Sequence, residues 1–293
     1  MPNGQLPIVE WVSPVNGTVF TKLDPILLSV SATDVDGTIE KVEYFVNNVS
    51  VGEVTTLPYS MNWSPNAYET YALKVVATDN SGNTTSVEIS ITMSNTIVTS
   101  IPIATSSDDA EERMSDGDMN LTSSDLELVD EGGISNQAVG LRFNQIGIPK
   151  EAMITNAYIQ FTTDEMDSGT TNLTLHGQAI DNAPIFANID HNISSRPKTN
   201  ASVNWSPAAW ANIGAKTTIQ QTPDLKSIIQ EIVNQAGWTL NNSLAIIITG
   251  TGKRTTESYN GSTFDAPILH LTFEYAGTCD GTNLQLNLSL IHI

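Results

Sequence analysis

Cysteine is almost missing: Cys279 stands alone in a chain of 293 residues. No intrachain disulfide can therefore hold the fold, and no thiolate metal site can form. Basic residues are also scarce, with 12 Lys and Arg against 32 Asp and Glu, a formal net charge of −20. That excess argues against nucleic acid or an anionic membrane as partner, because each carries the same sign. Membrane insertion is not expected either. The strongest apolar run, Leu244–Ile248, is strand-sized, whereas a spanning helix needs about 20 apolar residues. Aromatic residues make up 6% of the chain, too few for a long exposed stacking platform.

Catalytic signatures are absent as well. The histidines are His176, His191, His270 and His292, none within a Gly-x-Ser-x-Gly or metalloprotease pattern. Gly250–Thr255 hints at a phosphate loop, but the required first glycine falls at Ile247. Paired acids such as Asp164/Glu165 and Asp130/Glu131 are frequent, yet glycosidase chemistry needs two acids across a cleft, which spacing alone does not establish. No catalytic residue is assigned. Met1–Pro7 lacks the basic and apolar stretches of a signal peptide, so either export is expected to be signalled elsewhere or the start of the protein is expected to be missing.

What the chain does contain is β-strand pattern. With 40% hydrophobic and 15% charged residues it is globular, and its length suits two domains. Residues 1–94 carry short alternating runs at Ile26–Ala32, Ile39–Val46, Ser50–Thr55, Ala72–Thr78 and Ser86–Met93. Asn, Asp, Gly or Pro bounds each one, and the spacing suits a Greek-key sandwich. Glycines in the turns Asp34–Gly37 and Asp79–Gly82 are placed where positive φ is expected. Residues 95–104 read as a short linker, residues 105–275 as a second sandwich, and residues 276–293 as a truncated tail. The fold class is all-β, with one helix over Thr222–Gln235. Thr222 is its expected N-cap, Pro223 opens the first turn, Asp224 complements the dipole, and Leu225, Ile228, Ile229 and Ile232 form the apolar stripe. Gly237 is the expected stop. Such a helix is expected to cover an open end of the sandwich.

The run Ser106–Glu112 packs four carboxylates, Asp108, Asp109, Glu111 and Glu112, into five residues. Their mutual repulsion calls for a cation or for solvent. Hard oxygens at this density suit Ca²⁺; a solvated loop is the competing reading.

Two resemblances sharpen this picture. Ser13–Gly17, Ala32–Ile39, Lys41–Asn47 and Ala77–Gly82, in that order, resemble the bacterial Ig-like domains attached to secreted carbohydrate-active enzymes. That resemblance implies a spacer or accessory unit without catalysis. The elements Val139–Phe143, Ile148–Phe161, Asp224–Val233 and Ala266–Leu271 resemble DNRLRE-type jelly-roll modules, a class with carbohydrate-binding members, although the short motif that names the class is absent. In jelly-roll binding modules a structural Ca²⁺ often ties the first strand region to the last. The resemblance therefore implies that Asp108, Asp109, Glu111 and Asp265 converge on one ion.

Sugar rings stack on flat aromatic faces, so Trp205, Trp210, Trp238 and Tyr259 are the candidate ligand-binding residues, with packing of the same rings over the helix as the competing reading. The expected partner is a polysaccharide or cell-surface glycan, and the expected location is extracellular or at the cell surface. A surface adhesin or stalk, and a piece of a polysaccharide-degrading enzyme whose catalytic domain lies elsewhere, stay open beside it. Leu288–Ile293 resembles read-through of a sequencing adapter. It is set aside, and the chain is expected to be tethered to further domains.

Overall fold

The computed structural model describes residues 4–131 and 136–275; the tail with Cys279 and the adapter-like hexapeptide lies outside them. Two compact units are present, Met1–Thr96 and Ile97–Ile293.

The first unit contains β1 (Ile8–Ser13), β2 (Val19–Phe20), β3 (Ile26–Thr33), β4 (Ile39–Val46), β5 (Val49–Val54), β6 (Ser60–Trp63), β7 (Thr70–Asp79) and β8 (Thr84–Met93). They form a three-stranded sheet, β1-β3-β6, and a five-stranded sheet, β2-β8-β7-β4-β5. Strict alternation decides which side chains go inward: Ile26, Leu28, Val30 and Ala32 from β3, and Tyr71, Leu73, Val75 and Ala77 from β7. Tyr44 is fully buried, donates to the Tyr59 carbonyl at 2.6 Å, and has its phenol pushed up to about 12 by burial. At the β7–β8 turn Asp79 accepts bonds from the Ser81 and Asn83 amides. Burial opposes its charge, but the bonds from Asn83 and Ser81 outweigh that and hold its carboxyl below the ordinary range. Gly82 has φ +85°, as expected for that turn. Gly37 does not have positive φ; a Cβ there would meet the side-chain oxygens of Asn80 and Asp34.

In the second unit the segment read as a linker is strand β9 (Thr96–Pro102). It is followed by β10 (Asp109–Arg113), β11 (Met119–Asn120), β12 (Asp125–Glu127), β13 (Gln137–Phe143), β14 (Met153–Gln160), β15 (Asn172–Gln178), β16 (Lys198–Trp205), helix α1 (Lys226–Val233), β17 (Leu244–Thr251), β18 (Thr255–Glu257) and β19 (Ile268–Glu274). A six-stranded sheet, β11-β10-β13-β17-β15-β16, a three-stranded sheet, β14-β19-β9, and a β12-β18 pair result. The main core lies between the sheets and includes Leu141, Phe143, Ile159, Phe161, Leu175, Ile246, Ile248, Leu269 and Phe273.

The continuous apolar run of β17 has a specific cause. Leu244, Ile246 and Ile248 enter the main core, while Ala245 and Ile247 face a second, smaller core with Ala110, Ala138, Phe186 and Ile193. The excursion between β15 and β16 supplies Phe186 and Ile193. The Phe186 ring lies where a Cβ on Gly140 would stand, so that close approach requires glycine. Arg196 places its guanidinium 4.2 Å from the same ring and binds the carbonyls of Pro184, Ile185 and Asn192. Burial lowers its pKa to about 10.

The helix is shorter than its sequence signals suggest. It starts at Lys226 with Leu225 as N-cap and ends at Val233, with Asn234 as C-cap. Thr222 does not cap it, because its hydroxyl accepts the Ile159 amide of β14. Asp224 is shared between the Lys226 and Ala157 amides. Further along, Gln230 accepts from the Ile154 amide, and Glu231 accepts from Asn200 and Ala201 of β16. The helical segment thus satisfies backbone donors on the edge strands of both sheets, which would otherwise be free to pair with another chain.

Candidate functional site

The acidic run does not converge on one point. Strand alternation along β10 sends Ala110 and Glu112 toward the smaller core and Asp109 and Glu111 the other way. All four acids are buried, at 0–4% exposure, which excludes a solvated loop. Asp108 pairs with the Arg142 guanidinium at 2.5 Å and accepts from Asn144 and Thr105. Asp109 accepts the Tyr259 amide at 2.7 Å, and Glu111 accepts the Glu127 amide at 2.8 Å. Glu112 accepts the Ile193 and Ser194 amides, both at 2.7 Å, and pins the excursion over the second core. Asp265 accepts the hydroxyl of its neighbour Ser262. The expectation that Asp108, Asp109, Glu111 and Asp265 share one ion is therefore corrected: each serves a different partner.

A different set of acids does converge. Ligand oxygens of Asp125, Asp164 and Glu165 all lie within 4.8 Å of one another. Asp125 comes from β12, and the other two come from the segment after β14. Glu257 stands opposite Asp125 in the β12–β18 register. Burial, Asp164, Asp265 and Asp125 push its carboxyl up to about 7. Burial, then Glu127 and Asp164, also raises Asp125. Glu111 is pushed up by burial and by its contact with Glu127. Lys253 enters this field as a counter-charge, with its Nζ 2.8 Å from Glu165. The donor set is all hard oxygen, and the mutual spacing fits an ion with metal–oxygen distances of about 2.4 Å, as for Ca²⁺. Sequence reasoning noticed Asp164/Glu165 only as a pair. The register that brings Asp125 beside them is long-range, so no local motif contains all three.

The indoles proposed as sugar platforms belong to the interior. Trp205 stacks on Phe161 at 5.7 Å and 12°, and Trp210, fully buried, packs against both. Trp238 is buried and donates to the Ile148 carbonyl at 2.9 Å. Tyr259 packs against the same core. None of the three tryptophans offers a face to a ligand, because the sandwich and its helix need those faces as core. The buried cation of the phosphate-loop-like stretch, Arg254, binds the carbonyls of Gly169, Pro207 and Ala208 and so organises a loop.

Rings that do reach the surface were not singled out from sequence. Phe264 is 88% exposed. Tyr158 and His270 are half-buried on the three-stranded sheet.

Residues 7–75 match the bacterial Ig domain family. That match lies within the first unit. A stretch of 101 residues is 37% identical to a chitinase, ChiA, of Flavobacterium johnsoniae; it covers 33% of this chain and 6% of that protein. Among solved structures, fibronectin(III)-like modules of Clostridium thermocellum CbhA align at 23% identity and TM-score 0.28, covering 30% of this chain and 46% of theirs. A carbohydrate-binding module of the β-sandwich superfamily aligns at 11% identity and TM-score 0.30, covering 94% of this chain and all of its own.

Proposed function

We propose that the chain is a non-catalytic accessory region of a larger secreted bacterial protein. An Ig-like spacer would carry a sandwich module that binds polysaccharide, outside the cell or at its surface. The observation that carries this reading is the 37% identity of a 101-residue stretch to a chitinase, of which that stretch covers 6%. Such a module holds a tethered enzyme at its substrate and raises the local concentration of cleavable bonds.

Calcium belongs to the same proposal. Asp125, Asp164 and Glu165 would hold the ion, with Glu257 beside them. Its charge would relieve the repulsion that raises Asp125 and Glu257, and would tie β12 and β18 to the segment after β14. The test is binding of the purified chain to insoluble chitin and to a glycan array, with calcium and with a chelator. Retention on a polysaccharide that weakens on chelation supports the reading; absence of binding to every glycan in both conditions refutes it.

A further inference from the structure

On the outer face of the sheet β14-β19-β9, Tyr158 and His270 are register partners. Their rings stack at 4.8 Å and 19°. Ser100 of β9 places its hydroxyl 2.7 Å from His270 Nδ1, which fixes the imidazole and directs Nε2 away from that contact. Among the described residues neither Nε2 nor the Tyr158 hydroxyl has a hydrogen-bond partner. Lys216, whose charge acts on His270, has its Nζ 3.5 Å from the Phe264 carbonyl in the loop before β19. Burial, and then the Lys216 charge, hold His270 below its ordinary pKa, so its ring is neutral near pH 7. The Phe264 side chain projects into solvent, 88% exposed.

We infer that this face is the saccharide-binding surface of the second unit, with Tyr158 and His270 as the central subsite, Phe264 as an outlying one, and a neutral pyranose chain as occupant. This inference rests on the polysaccharide-binding reading and names its site. Pyranose C–H faces pack on aromatic rings, while ring hydroxyls need fixed donors and acceptors at the periphery. Tyr158, His270 and Ser100 supply both on adjacent strands, where a sheet holds them more rigidly than a loop does. Charge selects the occupant. The field of a chain with net charge −20 repels a polyanion. Lys216 beside the stack opposes an ammonium sugar. A neutral chain meets neither penalty.

The test is titration calorimetry on the whole chain with cellohexaose and N-acetylchitohexaose, and with alginate and chitosan as charged probes. Tyr158→Ala, His270→Ala and Phe264→Ala are compared with the unaltered protein, with melting temperature as the control. Phe264, at 88% exposure, is the variant that leaves the fold intact. Binding of a neutral hexamer should weaken roughly tenfold in Tyr158→Ala and by a smaller factor in Phe264→Ala, the scale of one lost aromatic contact. Undiminished binding in all three variants would place the glycan elsewhere and overturn the inference, leaving the accessory reading intact. Preference for alginate or chitosan, lost in Tyr158→Ala, would overturn the neutral occupant. No binding of any probe by the unaltered chain would remove the accessory reading and the inference with it.

Discussion

Asp108 and Arg142 form a buried ion pair at 2.5 Å that joins the start of β10 to β13. Asn144 completes the carboxylate's bonds from the same side, and the Arg142 guanidinium also reaches the Ala183 carbonyl and the Ser243 hydroxyl. One acid thus fixes the entrance of the strand, the exit of β13 and the loop that covers the second core.

Removing Asp108 should be costly. Asp108→Ala leaves Arg142 largely out of water without its counter-charge, and breaking such a pair costs about 3–5 kcal/mol. Urea unfolding of the variant should show a midpoint shift of that order with an unchanged slope. A shift near zero would mean that the pair makes no net contribution.

Calcium should raise the melting temperature, and the rise should disappear in Asp125→Asn/Asp164→Asn. An ion at a hundred times its dissociation constant, bound only to the folded state, adds about 2.7 kcal/mol. The paired substitution at Asp108 and Asp109 should leave the calcium-dependent increment in place, because those acids serve other partners. Differential scanning fluorimetry with and without chelator separates the two sets.

Trp205→Ala should affect stability and not sugar affinity. The ring stacks on Phe161 within the main core, so its loss costs about 3–5 kcal/mol in unfolding. Glycan titration at a temperature where the variant stays folded checks that affinity is unchanged.

Gly140→Ala should also destabilise, by about 1–3 kcal/mol, because the new methyl meets the Phe186 ring. Combining it with Phe186→Leu should recover part of the loss, readable as non-additivity in a double-mutant cycle.

Burial pushes the Asp109 carboxyl up to about 6, from 3.8 for the free group. The folded state therefore holds this proton more tightly than the unfolded chain does. Its contribution is most favourable below pH 3.8 and is lost as pH rises toward 6. Asp109→Asn keeps an acceptor for the Tyr259 amide and removes the titration. Its stability relative to the parent should therefore rise between pH 4 and pH 7, by on the order of 2 kcal/mol. A flat difference across that range would contradict the assignment.

Alternation along Ile26–Ala32 and Ala72–Thr78 was enough to specify strands and their inward faces, because a period of two admits only one buried side. The stripe Ile228, Ile229 and Ile232 likewise specified a helix and its packed face. Its start was misread at Thr222, because a hydroxyl that resembles a cap instead serves a strand reached only through the tertiary fold.

The sites followed the same division. Local sequence disclosed a dense set of acids at Ser106–Glu112 and a cluster of indoles near the helix, and both attracted function by their composition. The fold buried each of those acids against a separate donor and drew the tryptophans into the core, since a sandwich of this size needs large apolar faces. Asp125, Asp164 and Glu165, like Tyr158, His270 and Ser100, meet through pairing between strands distant in the chain. Composition and period set the class of fold and the charge of the molecule. Which oxygens share a cation, and which rings remain facing water, is fixed by long-range register, and no local pattern carries that information.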